Sequence, residues 1–212
     1  MKLHGYFRSS AAYRVRIALN LKGMIVEHAG VHLIRDGGQH QKPEYLSRNP
    51  QGLVPALELD DGTLLTQSLA IIEYIDTVKP EPRLVPKGPI LAAKVRAAAL
   101  AIACEIHPLN NLRVLNYLKG PLNQPQGGVD TWIRHWMLSG GLDAVEALLP
   151  GNDFCFGNSP TLADCCLIPQ LFNARRFNID FDHLPKISRV EKTCETLEAF
   201  AVAHPARQPD AE

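Results

Sequence analysis

The stretch Phe7-Arg8-Ser9-Ser10-Ala11-Ala12-Tyr13-Arg14-Val15-Arg16-Ile17-Ala18-Leu19 decides the fold of this chain. Residues 2–7 alternate weakly, as a strand does. From Ser10 the apolar residues recur at helical spacing as far as residue 22, and Gly23 follows as a helix-ending residue. A strand thus runs straight into a helix behind two hydroxyls. A helix start leaves backbone N–H groups without partners and carries partial positive charge, so it stabilises an anion such as a thiolate. Ser9 and Ser10 add O–H donors at the same place. Ala11 and Ala12 come next, so the chain supplies no sulfur of its own, and one held in this turn has to come with a bound cofactor. A serine ahead of an apolar helical run is also the commonest helix cap, and the turn gains a catalytic reading only from the segments around it.

Outward from this turn, residues 25–33 are expected to form a second strand and residues 42–48 a short helix. Residues 56–59 and 63–65 are expected to form two strands joined at Asp60-Asp61-Gly62, where Asp-Gly favours a hairpin. Ser68 is expected to cap a helix whose apolar residues run over 69–75 and which Pro80 ends. The order βαβαββα describes a thioredoxin-like domain over residues 1–80. Pro80, Pro82, Pro86 and Pro89 lie in a stretch with no period, the composition of a stiff linker over residues 81–89. Helical periodicity then covers 90–119, 129–149, 162–177 and 187–203, so residues 90–212 are expected to be all-α. The fold class is α+β in two domains.

Composition excludes several functions. The 22 basic and 22 acidic residues cancel, leaving no overall field to draw in nucleic acid or an anionic membrane surface, so an anionic ligand needs a local arginine. With 46% hydrophobic residues and no long apolar run, the chain is expected to be globular, without a membrane span. Its first residues are too poor in apolar side chains for a signal peptide, which favours the cytoplasm. Cys104, Cys155, Cys165, Cys166 and Cys194 show neither CxxC spacing nor an even count, and no His or Cys pair has ligand spacing. Reduced, buried thiols and no metal are the expectation.

Two further segments bear on the cofactor. Asn49-Pro50-Gln51-Gly52-Leu53-Val54-Pro55-Ala56-Leu57 puts Pro55 where a strand should begin. In a thioredoxin-like sheet that proline is expected in cis, although a trans proline at a strand start fits the segment as well. Val54 would then offer its N–H and C=O to an extended peptide. Gln67-Ser68 stands at the next helix start, where N–H groups and a hydroxyl can receive a carboxylate. A peptide carrying a thiol and a γ-glutamyl carboxylate satisfies both segments, and glutathione is the expected cofactor.

The runs Ser-Ser-x-x-Tyr-Arg-Val-Arg-Ile-Ala-Leu, Asn-Pro-Gln-Gly-x-Val-Pro-Ala-Leu and Gln-Ser-Leu-Ala-Ile-Ile-Glu-Tyr resemble the zeta class of glutathione transferases, which includes maleylacetoacetate and maleylpyruvate isomerases. The likeness continues through Ile106-His107-Pro108-Leu109-Asn110-Asn111-Leu112-Arg113, Thr161-Leu162-Ala163-Asp164 and Ala174-Arg175-Arg176-Phe177, so it spans nearly the whole chain. The resemblance implies a homodimer of the glutathione transferase fold, with an electrophile pocket roofed by the helical domain. It assigns Ser9 as the hydroxyl beside the glutathione sulfur and Ser10 as its neighbour. It assigns Val54 with Pro55 as the backbone clamp, Gln67 and Ser68 as the γ-glutamyl site, and Gln51 and His40 as candidates for the glycyl end. Asp164 is structural in this likeness, part of a buried helix cap. The family's usual Cys and Trp are replaced by Ala11 and Tyr13, which removes any redox side activity that needs a protein thiol there.

The implied reaction turns a cis alkene, conjugated with a ketone, into its trans isomer by reversible thiolate addition. Lowering a thiol from about 8.5 by two units takes about 2.7 kcal/mol, which a hydroxyl and a helix start can supply. Weaker nucleophilicity returns most of that gain, so orientation must dominate the rate, while a lower pKa makes sulfur the better leaving group. Orienting a small dicarboxylic keto acid calls for arginine forks, and Arg8 and Arg176 are the candidates. His107 is the candidate to hydrogen-bond developing charge, and Asn110, one turn on, joins the cofactor-binding set. Two other readings stay open: glutathione conjugation or dehalogenation of small α-halo acids, and a dimeric interaction module without catalysis.

Overall fold

The computed structural model describes residues 1–212 and divides into two compact units, Met1–Leu84 with Thr196–Glu212, and Val85–Glu195. The first contains β1 (Lys2–Gly5), α1 (Ser10–Leu21), β2 (Glu27–Gly30), α2 (Pro43–Leu46), β3 (Ala56–Glu58), β4 (Leu64–Thr66) and α3 (Ser68–Val78). Its four strands lie in the order β2-β1-β3-β4, with β1 parallel to β2 and antiparallel to β3, and β3 antiparallel to β4. This is the thioredoxin-like domain expected; β1, β2 and β3 are shorter than the runs read for them, and β4 is shifted by one residue from 63–65. Leu3, Val15, Ile17, Leu19, Leu57, Ile71, Ile72 and Ile75 are buried between sheet and helices, the largest stabilising contribution available to the unit.

Gly23, at φ 56°, ends α1, as its position after the last helical residue predicts. Just before it, Lys22 is buried and closes the unit from behind. Its ammonium donates to Asp76 at 2.6 Å and to the carbonyls of Pro80 and Pro82, while Asp76 accepts the Leu84 N–H at 2.8 Å. The proline-rich segment is therefore tied to α1 and α3. Glu81–Pro82 is cis.

The second unit is helical: α4 (Pro89–Leu100), α5 (Leu112–Lys119), α6 (Gln126–Arg134), α7 (Asp143–Leu148), α8 (Leu162–Arg176) and α9 (Pro185–Glu195). The single helix expected over residues 90–119 is broken. α4 passes into a π-helical turn over Ala101–Ile106, and Pro108, which has no N–H to give, opens a short 3₁₀ turn before α5 starts at the Asn111 cap. The helix expected over 129–149 runs through a second π-helical stretch, His135–Leu142. Gly141 lets it pass, since a Cβ there would stand 2.6 Å from the Trp136 carbonyl oxygen and 3.0 Å from Ile106.

The expected 187–203 helix is two: α9, and α10 over Glu198–Ala203. α10 belongs with the sheet unit, so the helical unit stops short of the 90–212 extent the periodicity suggested. The reason is tertiary, because the residues that fasten α10, Arg16 and Asn20, lie on α1. Of the cysteines, all are free and four are buried, whereas Cys104 is exposed, contrary to expectation. No helix is long and apolar enough to cross a membrane.

Candidate active site

Strand register gathers the expected cofactor residues at one end of the sheet. His4 pairs with Ala56, and Ala56 with Thr66. The chain leaving β1 toward Ser9, the chain entering β3 through Val54 and Pro55, and the chain leaving β4 into Gln67 and Ser68 therefore share that end. β2 runs parallel to β1 and leads, after Gly30, toward His40 from the same end.

Ser9 stands at the end of a turn in which its N–H donates to the Tyr6 carbonyl at 2.9 Å. It is the cap of α1, and its Oγ accepts the Ala12 N–H at 3.2 Å. The expected cap and the expected donor are one group. A hydroxyl oxygen that accepts an amide hydrogen is polarised and keeps its own proton to donate. Ser10 is the first residue of α1 and is buried. Arg8 folds back, with Nη2 donating to the Tyr6 hydroxyl at 2.8 Å and its guanidinium 5.1 Å from the Phe7 ring centre. Its fork is engaged within the turn rather than extended, which differs from the reach expected of it.

Val54–Pro55 is cis. The Leu53 carbonyl accepts from the Tyr45 hydroxyl at 2.6 Å and the Asn49 amide at 2.8 Å, which fixes the segment, while the Val54 N–H and C=O have no protein partner. Gln67, not Ser68, is the residue capping α3, and it takes φ 67°, a left-handed conformation uncommon outside glycine and costly by about 1–3 kcal/mol. Its side chain donates to Gln51 Oε1 at 2.8 Å, so two of the expected residues meet directly. Ser68 opens the helix instead and is buried, with Oγ accepting from Arg14 Nη1 at 3.2 Å. Arg14 was given no role by its sequence position, since an arginine amid an apolar helical run has no marker of depth. It is 2% exposed, and it brings a positive charge to the hydroxyl at the start of α3.

Two glycines let the neighbouring loops close. Gly38, at φ 95°, faces His40, and a Cβ there would stand 2.6 Å from the imidazole Cε1. Gly52, at φ 59°, would bring a Cβ within 3.1 Å of the His40 carbonyl oxygen. Burial lowers the His40 pKa, favouring the neutral ring, and its Nδ1 is buried without a partner.

The remaining expected residues belong to the helical unit. His107 ends the first π-helical turn. Asn110 is buried, its amide nitrogen donating to the Ile106 carbonyl at 3.0 Å while its Oδ1 has no partner. Arg176 is the last residue of α8, with Nη1 donating to Asn173 Oδ1 at 3.0 Å; its side chain is exposed. Asp164 has the buried structural position expected of it. It accepts the N–H and hydroxyl of Thr161 at 2.7 and 2.8 Å, and the Cys155 N–H at 2.8 Å. Burial pushes its pKa up against those bonds, which pull it down.

Residues 3–83 match the glutathione S-transferase N-terminal domain, and residues 137–204 match the glutathione S-transferase C-terminal domain. The chain is 49% identical over 210 residues to maleylacetoacetate isomerase of Pseudomonas aeruginosa, covering 99% of this chain and 98% of that protein. Among solved structures it is similar to a maleylpyruvate isomerase described as a bacterial zeta-class glutathione S-transferase (TM-score 0.95, 42% identity, all of both chains). It is also similar to the maleylacetoacetate isomerase of Methylobacterium extorquens with bound malonate and glutathione (TM-score 0.94, 39% identity, all of both chains).

Proposed function

Because the chain belongs to the zeta-class glutathione transferases, the family of the maleylacetoacetate and maleylpyruvate isomerases, we propose that it is a glutathione-dependent cis–trans isomerase acting on a maleyl keto acid in aromatic-compound breakdown. The observation that carries this reading is the meeting, at one sheet end, of a proton-bearing Ser9 hydroxyl, an unpartnered Val54 peptide pair and a helix start backed by Arg14. These groups fit a γ-glutamyl tripeptide. The Val54 N–H and C=O take the cysteinyl main chain as an added strand would. The N–H groups at the start of α3, with Ser68, Gln67 and the buried Arg14 charge, receive the γ-glutamyl carboxylate. Gln51, which already meets Gln67, and His40 serve the glycyl end.

When bound, glutathione supplies a thiolate that adds to the conjugated cis double bond and leaves after rotation, so it is returned unchanged. Ser9 donates its proton toward that sulfur, and the start of α1 adds partial positive charge. Arg176, an exposed residue at the end of α8, binds a carboxylate of the substrate, His107 hydrogen-bonds developing charge, and Asn110 joins the cofactor-binding set. Arg8 contributes charge at the turn rather than a free fork. The working enzyme is a cytoplasmic homodimer.

A spectrophotometric assay of maleylpyruvate and maleylacetoacetate, with and without glutathione, tests the reading. Conversion of at least one to its fumaryl isomer, dependent on glutathione and leaving it unconsumed, is the expected result. Consumption of glutathione on α-halo acids with no isomerisation would replace it by a transferase, and absence of both by a binding module.

A further inference from the structure

The C-terminal segment of the sheet unit and α1 together hold both backbone polar groups of Phe7, in the turn that presents Ser9. Phe7 donates its N–H to Asp210 Oδ2 at 2.9 Å, across 203 positions of sequence, and its carbonyl accepts from Arg16 Nη2 at 3.0 Å. Arg16 is in turn held by the Ala203 carbonyl, which its Nε reaches at 3.0 Å. Asn20 donates to the Ala199 carbonyl at 2.9 Å, and Arg35 is paired with Glu212, so the segment is fastened on both sides of Asp210. Phe7 and Arg8 are the central residues of the turn that the Ser9 N–H closes on the Tyr6 carbonyl.

An anionic acceptor therefore faces the Phe7 N–H and a cationic donor faces its C=O, so the two consecutive peptide groups that flank the Phe7 Cα are each fixed by a charge-assisted hydrogen bond. Arg16 is 4% exposed, and burial lowers its pKa to about 10, so it still carries its charge at neutral pH. Nothing near Ser9 in the sequence indicates this grip. Asp210 lies beyond every helical element, where a terminal segment is ordinarily ordered only if something fastens it.

We propose that Asp210 is a positioning residue for the isomerisation, setting the place of the Ser9 hydroxyl through the backbone N–H of Phe7 while touching neither glutathione nor substrate. The proposal rests on the reading of Ser9 given above. A hydroxyl displaced by about 1 Å no longer meets the sulfur in line, and misplacements of that size cost up to about a hundredfold in rate. Loss of the acceptor thus acts on thiol ionisation and turnover more than on binding.

Full-length wild type, Asp210→Ala and Asp210→Asn proteins separate the outcomes. Readouts are the ultraviolet titration of bound glutathione thiolate, glutathione affinity by calorimetry, and amide exchange over residues 6–9. Asp210→Ala is expected to raise the bound thiol's pKa by about one unit and lower kcat about tenfold with KM for the keto acid little changed, while exchange over the turn quickens. Asp210→Asn keeps a carbonyl oxygen for the Phe7 N–H and is expected to stay near wild type. A bound thiol that titrates identically in Asp210→Ala, or equal loss in both variants, overturns the proposal. A wild-type protein that leaves the thiol at its free value overturns the Ser9 reading itself, and this one with it.

Discussion

The Ser9 oxygen accepts the Ala12 N–H at the head of α1 and keeps a proton to give, so replacing it changes two things at once. Removing a serine cap costs about 1 kcal/mol when alanine replaces it and only a few tenths when glycine does. Ser9→Gly is therefore the cleaner probe of the hydroxyl. It is expected to leave thermal stability close to wild type and to raise the pKa of bound glutathione by about one unit, read by thiolate absorbance against pH. An unchanged titration curve would remove Ser9 from the chemistry. Several residues of this end of the sheet were legible one at a time: the serine pair, Val54 beside a proline, and the glutamine and serine at the next helix start. Arg14 and Asp210 were not. Nothing local distinguishes an arginine that points under a neighbouring helix from one that points into water.

Among the elements, α8 shows how a local pattern becomes structure when tertiary contacts reinforce it. Thr161 and Asp164 form the reciprocal cap that their three-residue spacing predicts, and the same carboxylate also holds the Cys155 N–H from outside the helix. Because Asp164 is fully buried and serves three donors, Asp164→Ala is expected to cost about 2–4 kcal/mol in urea denaturation, with Asp164→Asn milder. A loss near 1 kcal/mol would mean the carboxylate acts as an ordinary cap. The helices were legible as apolar periods, but their interruptions were less so. Pro108 stands at one break, yet the apolar period runs on across it, so residues 90–119 read as a single helix. The two π-helical stretches and the stop at Thr196 left no mark, because each depends on what the helix packs against.

At the scale of the whole molecule, the residues proposed for glutathione, Asn110 apart, belong to the sheet unit, and Arg176, proposed for the keto acid, belongs to the helical unit. Arg176→Ala is accordingly expected to raise KM for the keto acid by tenfold or more, the loss of about 1.4 kcal/mol or more, while calorimetric glutathione affinity stays within about twofold. Equal losses of both would count against a substrate role. Two domain types, the order of elements along the first and the cofactor class were written in the sequence, because alternation, helical period, turn residues and the serine pair are local in the chain. Where the units divide, and what stands behind Ser9 and Ser68, only the tertiary structure decided. α10 and Asp210 join the sheet through donors on α1 and β1's outgoing turn, and Arg14 reaches Ser68 across helices. Such bonds join residues far apart along the chain, and a hydrogen bond of that kind leaves no period or spacing by which to read it.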